Sequence, residues 1–294
     1  MKKQIRRREL LAGAAATGTI TIFRGRLSGA EQAAAAPAAE TKPPADDLPR
    51  VDYHVHLDNF TLEKALDLAR DRNVKLGIVE HAGTKENKYP VVLSTDEDLK
   101  RHIAALEGKG VYKGIQAEGL DWMTCFSKET VARLDYVLTD ALTFREKDGR
   151  RVELWKADQV RIDDPQDFMD RYADFHVRIM AAEPIDILAN VTFLPAVLQK
   201  DYDALWTEGR MRKVIDAAVK YGVAVEVSQS GIPRAAFLAM AKAAGAKFSF
   251  GSNGRGQNIG RIDRCLEAAR QLGLKPADFF APAPPGRKPV QARP

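Results

Sequence analysis

VDYHVHL, residues 51–57, is a short run of β-type residues that carries two of the chain's five histidines, one residue apart. Side chains alternate along a strand, so His54 and His56 share one face. Two imidazoles on one strand face make half of a metal site. Structural histidines satisfied inside a fold explain such a pair equally well. The rest of the chain adds weight to the first reading.

Six more β-type runs follow: 74–81 (VKLGIVEH), 112–119 (YKGIQAEG), 135–142 (DYVLTDAL), 185–193 (IDILANVTF), 223–229 (VAVEVSQ) and 247–253 (KFSFGSN). Several are apolar on both faces, as buried parallel strands are. Helical patterns lie between them. Residues 61–72 place Leu62, Ala65, Leu66 and Ala69 on one stripe behind Thr61 as N-cap. Residues 94–110 open with a capping signal and end in Gly, and 165–183 begin with Pro165 in a first turn. Residues 202–221, 233–244 and 260–272 continue the alternation. Seven βα units predict an α/β fold, a distorted seven-stranded (β/α)7 TIM-like barrel, with its chemistry at the C-terminal ends of the strands. Those ends carry ligand-type residues: Glu80-His81 after the second strand, Glu118 and then Asp121 after the third, Asn190 on the fifth.

The two ends of the 294-residue chain read differently from its middle. Residues 1–36 have a basic start with Arg7-Arg8, a mildly apolar run and then small residues, which resembles a twin-arginine export signal. The apolar run is too short and too interrupted for a stable membrane span. Its expected partner is the twin-arginine export machinery, and the expected location is periplasmic or secreted after cleavage. A basic arm that binds acidic partners is the competing reading. Residues 37–48 read as a linker, 49–280 as one barrel domain, and the Pro-rich 281–294 as a disordered tail. Residues 1–36 hold seven Lys/Arg and two Asp/Glu, which leaves 38 of each sign in the remainder. The basic pI therefore comes from the leader and gives no support to nucleic-acid binding. Cys125 and Cys265 would pair in an oxidising compartment or stay as two buried thiols.

The order of motifs resembles the PHP (polymerase and histidinol phosphatase) family of metal-dependent phosphoesterases. His54-Val55-His56 matches its opening HxH, Glu80-His81 its acid-histidine pair, and Gln116-Ala117-Glu118 its Gly-x-Glu element. The resemblance runs through about residues 50–262 and implies a distorted seven-stranded barrel that holds divalent metals. Later motifs depart from the family. Asn59-Phe60 replaces a loop histidine, Leu142 stands at the histidine of a Ser-x-His, Asn190 replaces another histidine, and Gly251-Ser252-Asn253-Gly254-Arg255 replaces a Gly-Ser-Asp-Ala-His type ending. Leu142 cannot ligate, Asn190 and Asn253 offer only neutral oxygens, and arginine keeps its proton. A three-metal cluster lacks the anionic ligands it needs.

What the resemblance leaves is one site for Zn, Mn or Fe: His54, His56 and Glu118, with Asn253 as a weak fourth ligand and His81 nearby. Arg255 would keep positive charge at the mouth and clamp a small anionic substrate, such as a phosphate ester. A structural ion pair of Arg255 with Asp186 or Glu226 is the alternative. Glu80 or His81 would assist proton transfer. Glu226 is an inward-facing acid on the sixth strand, and Asp121 and Trp122 would shape the rim. His102 and His176 fall in helical patterns and read as packing or surface residues. The expected function is an exported metal-dependent phosphoesterase. An inactive barrel that binds a small anion is the first alternative. An amidohydrolase-like hydrolase is the second, weakened because no histidine follows His176.

Overall fold

The structure, a computed structural model, describes residues 47–283. The expected leader, most of the expected linker and all but the first three residues of the expected tail lie outside the described residues. Seven parallel strands form the centre: β1 (Val51–Val55), β2 (Lys75–Ile78), β3 (Tyr112–Ala117), β4 (Tyr136–Thr139), β5 (Ile187–Leu188), β6 (Ala224–Ser228) and β7 (Phe248–Gly251). They pair in chain order, each parallel to the next. The ring closes where His56 N donates to Gly254 O at 3.0 Å and Gly254 N donates to His54 O at 3.1 Å. The nearly closed (β/α)7 barrel expected from the alternating runs is therefore present.

The longer helices that accompany the strands are α1 (Leu62–Arg72), α2 (Asp96–Leu106), α3 (Pro165–Ala182), α4 (Glu208–Tyr221), α5 (Ala235–Ala243) and α6 (Asp263–Leu272). Their starts follow the sequence signals. Thr61 Oγ1 accepts from Lys64 N, Thr95 Oγ1 from Asp98 N, and Asp164 Oδ1 from Gln166 N and Asp167 N, ahead of Pro165. Each such cap is worth about 1 kcal/mol. Between strands and helices lies an apolar core that includes Leu76, Ile78, Ile115, Val137, Leu188, Val225, Phe248 and Phe250. Burial of each large apolar side chain contributes about 1.5–3 kcal/mol.

The N-terminal ends of the strands are plugged by rings. Tyr53 stacks on Tyr112 and meets Tyr136 and Phe280 edge-on. The Tyr136 hydroxyl donates to Tyr53 O at 2.7 Å, and its ring lies so close to Gly114 that any Cβ there would collide with it. With that end filled, the opposite end is left as the open mouth.

Several boundaries differ from the sequence reading. The fifth strand keeps two residues, because Asn190 adopts φ 52 and turns the chain, with Phe193 N bonded to Asn190 O. The seventh stops before Asn253, which adopts φ 48. The expected helix 202–221 breaks at Trp206, where Thr207 caps a new start. The run 135–142 is a strand only to Thr139. After it, an unforeseen antiparallel hairpin pairs Thr143–Arg145 with Arg151–Glu153. Phe144 anchors that hairpin against Phe168, Tyr172 and Phe175 of α3.

Candidate functional site

The site grows from the end of β1. His54 and His56 are fully buried, and both aim Nε2 at one atom, Oε1 of Gln116, at 2.9 and 3.0 Å. The shared strand face expected from their spacing is thus realised. On its other side the Gln116 amide donates from Nε2 to Glu118 Oε1 at 3.2 Å and to Asp140 Oδ2 at 3.3 Å. One carboxamide therefore stands between two imidazoles and two carboxyl groups.

Behind this centre, His54 Nδ1 lies 2.7 Å from Glu226 Oε2, with both side chains at 0% exposure. Gly251 permits the approach, since a Cβ on it would meet the Glu226 carboxyl. Burial works against a charged His54, but the Glu226 carboxylate and the bond to Gln116 raise its pKa overall. Burial and the neighbouring His81 hold His56 far below the usual histidine range, so it is neutral.

Glu118 accepts from His81 Nδ1 at 2.8 Å, from Thr143 Oγ1 at 3.2 Å and from the Tyr89 hydroxyl at 3.3 Å. Burial still pushes it up to about 7. Burial, then Arg255, pushes His81 down to about 3. Its contact with Glu118 is therefore a neutral hydrogen bond rather than an ion pair. Burial likewise raises Asp140 to about 6, where Asn190 Nδ2 donates to it at 3.0 Å. Glu80 accepts from Leu57 N through Oε1, while Oε2 is buried without a partner among the described residues. Burial raises it to about 7.

Arg255 stands at the mouth with its side chain 42% exposed. Nε donates to Asp58 Oδ2 at 2.9 Å, Nη1 to Asn253 Oδ1 at 2.7 Å and to Asn253 O at 3.2 Å, and Nη2 faces His81 Nε2 at 3.3 Å. Four contacts on five donors leave a single N–H, on Nη2, for a ligand. Arg255, Asn253, Asn190, Asp140, Gln116 and His81 line one cavity of about 210 Å³, with Tyr89, Leu142 and Trp155 completing its wall.

Some expected placements are corrected. The ion pair of Arg255 is with Asp58; Asp186 instead accepts from Val137 N, and Glu226 is committed to His54. Asn253 spends its side-chain oxygen on Arg255. Trp122 does not shape a rim: it is fully buried and donates to Glu183 Oε2 at 2.6 Å, while Asp121 is exposed. Cys125 and Cys265 are both free. His102 bonds Gly114 O and His176 bonds Tyr172 O, both as packing residues of helices. Gln116, Asp140, Asp58, Tyr89 and Trp155 were not singled out as site residues from the sequence. The period-two spacing of Gln116 with Glu118 was the available signal for the first.

Among the described residues, no three His, Cys, Asp or Glu side chains form a group placed to hold a metal ion. The donor types around the Gln116 amide nevertheless suit one divalent ion: two imidazoles and two carboxylates, one imidazole backed by a buried carboxylate. A larger cluster does not fit, because Leu142, Asn190 and Arg255 line the rest of the mouth.

No family model matches the sequence, and no curated protein matches it. Solved structures do. The histidinol phosphate phosphatase of Lactococcus lactis subsp. lactis Il1403, solved with zinc, L-histidinol and phosphate, superposes with a TM-score of 0.53. Its sequence is 15% identical, and the match covers 79% of this chain and 95% of that one. This likeness shows the fold, a PHP-like barrel. A chain from archaeal ribonuclease P with mature tRNA matches at a TM-score of 0.40 and 12% identity, over 78% of this chain and 84% of that one, too distant to argue from.

Proposed function

We propose that this chain is an exported hydrolase of small phosphate esters, working at the barrel mouth with one divalent ion. One observation carries the reading: a guanidinium lines the same cavity as the point on which two buried imidazoles converge. His54, His56, Glu118 and Asp140 would hold the ion in exchange for their bonds to Gln116. Bound there, it would supply a water acidified towards neutrality. Asp58 and Asn253 fix Arg255 in place. Its charge and its free Nη2 N–H then hold a phosphoryl oxygen at the mouth. Asn190 offers a neutral polar contact beside it. Glu80, raised to about 7, carries a proton to the leaving oxygen near neutral pH. His81, held neutral, keeps Arg255 in register through Nε2 and takes no proton itself.

The test is hydrolysis of p-nitrophenyl phosphate by the full chain, with zinc or manganese added, beside Arg255→Ala and Arg255→Lys. Turnover that falls in both variants, less in the lysine one, supports the reading. No turnover with either metal contradicts it.

The Gln116 amide favours a second reading. It bonds one nitrogen of each imidazole and one oxygen of each carboxyl group without any ion, so the barrel would stand as a metal-free binder of a small anion at Arg255. Phosphate binding without turnover or metal uptake would select this one.

A further inference from the structure

We propose that Trp155, backed by Tyr89, is a stacking wall beside Arg255, and that the site selects compact anions that carry a flat aromatic ring. This rests on the anion reading of Arg255 and adds the nature of the group that the anion is attached to.

Three rings line up from the centre of the barrel outward. His81 stacks on Tyr89 with centroids 3.5 Å apart and planes 6° apart. Tyr89 in turn faces Trp155 at 6.2 Å and 26°. The stack is held at both ends. The Tyr89 hydroxyl donates to Glu118, and Trp155 lies two residues beyond the hairpin that Phe144 pins to α3. Leu154 N also bonds Leu142 O at 2.9 Å, which ties the base of the hairpin to the segment just after the fourth strand. Trp155 is thus positioned by packing and hydrogen bonds, not left on a loose loop.

A single exposed apolar side chain needs no explanation by itself. Trp155 differs in where it stands. Trp122 and Trp206 are buried, whereas Trp155 is 38% exposed and lines the cavity that holds Arg255, Asn190 and Asn253. An indole face attracts either a flat ring or a cation. The fixed charge of Arg255 in the same cavity disfavours a cation, which leaves the ring. The cavity, at about 210 Å³, is smaller than the roughly 300–1,000 Å³ of ordinary ligand sites, so one ring with one anionic group is the expected size.

Calorimetric titration of the full chain with phenylphosphonate and methylphosphonate tests this, since neither probe can be hydrolysed at a P–O ester bond. Phenylphosphonate should bind roughly tenfold more tightly than methylphosphonate, the scale of one good aromatic contact. Trp155→Ala should remove most of that difference by weakening phenylphosphonate far more than methylphosphonate, and Trp155→Phe should keep most of it. Equal binding of both probes by the parent chain overturns the stacking wall and leaves the anion reading intact. So does an equal loss for both probes in Trp155→Ala. No binding of either probe overturns the anion reading and this proposal together.

Discussion

His54 Nδ1 lies 2.7 Å from Glu226 Oε2 in the closed interior of the barrel, and neither side chain reaches solvent. The pair joins β1 to β6 across the sheet and sets the ring that presents Nε2 to Gln116. Breaking a buried pair by removing one charge costs about 3–5 kcal/mol. Glu226→Gln should therefore lower stability markedly at pH 6. The folded-state pKa of His54 is raised above its unfolded value, so the pair's contribution is complete below about pH 6.5 and fades as pH rises through the folded value. The gap in denaturant midpoint between parent and variant should shrink from pH 6 to pH 9. An equal gap at both would show that His54 is neutral.

Gln116→Ala removes a group that bonds three buried side chains, His54, His56 and Glu118, and the half-buried Asp140. Leaving a buried polar partner unpaired costs about 1–3 kcal/mol. The EDTA-treated variant should melt well below the EDTA-treated parent. Zinc should then raise the melting temperature of the variant more than that of the parent, because the amide no longer competes for the shared centre. A variant that melts lower yet responds to zinc no more than the parent would place the ion elsewhere or nowhere.

Glu80 sets a pH limb in the proposed reaction. Burial raises it to about 7, so the protonated form is present below that pH and is lost above it. Turnover should fall on the alkaline side with an apparent pKa near 7. Glu80→Gln should abolish that limb and lower the rate by roughly 10²–10⁴-fold. An unchanged alkaline limb in the variant would assign the proton to another group.

Glu183 supplies a pH dependence far from the mouth. It is buried, receives Trp122 Nε1 on Oε2, and is pushed up to about 8 by burial. The folded state then holds a proton that the unfolded chain releases near pH 4.5. Stability should decline as pH rises from there to about 8, by up to about 1.4 kcal/mol per pH unit for this group. Glu183→Gln should flatten that part of the profile. An equally steep decline in the variant would mean that Glu183 is ionised in the fold.

The barrel was legible because its strands are short apolar runs, most of them followed by a helical pattern, three of which open on a side-chain cap. The shared face of His54 and His56 was legible for the same reason, since period two is a local property. The hairpin at Thr143–Arg145 and Arg151–Glu153 was missed, although Asp148-Gly149 between alternating residues is a usable turn signal. With it went Trp155, which matters only because the hairpin returns it to the mouth. The placement of Gln116 was not legible either. Nothing local says that an amide on the third strand reaches two imidazoles at the end of the first and a carboxyl just after the fourth. Arg255 was marked as the odd residue at the mouth, but its partner Asp58 follows from a left-handed turn at Asp58 (φ 49) that the sequence does not announce.

The most direct measurement is metal content. The full chain, purified without chelator, would be analysed for zinc, manganese and iron beside a His54→Ala/His56→Ala variant whose folding is checked by circular dichroism. The expected result is about one ion per chain in the parent and none in the folded variant. A parent chain that takes up no ion even from added metal would contradict the proposed hydrolase and leave the Gln116-bridged barrel as a metal-free binder.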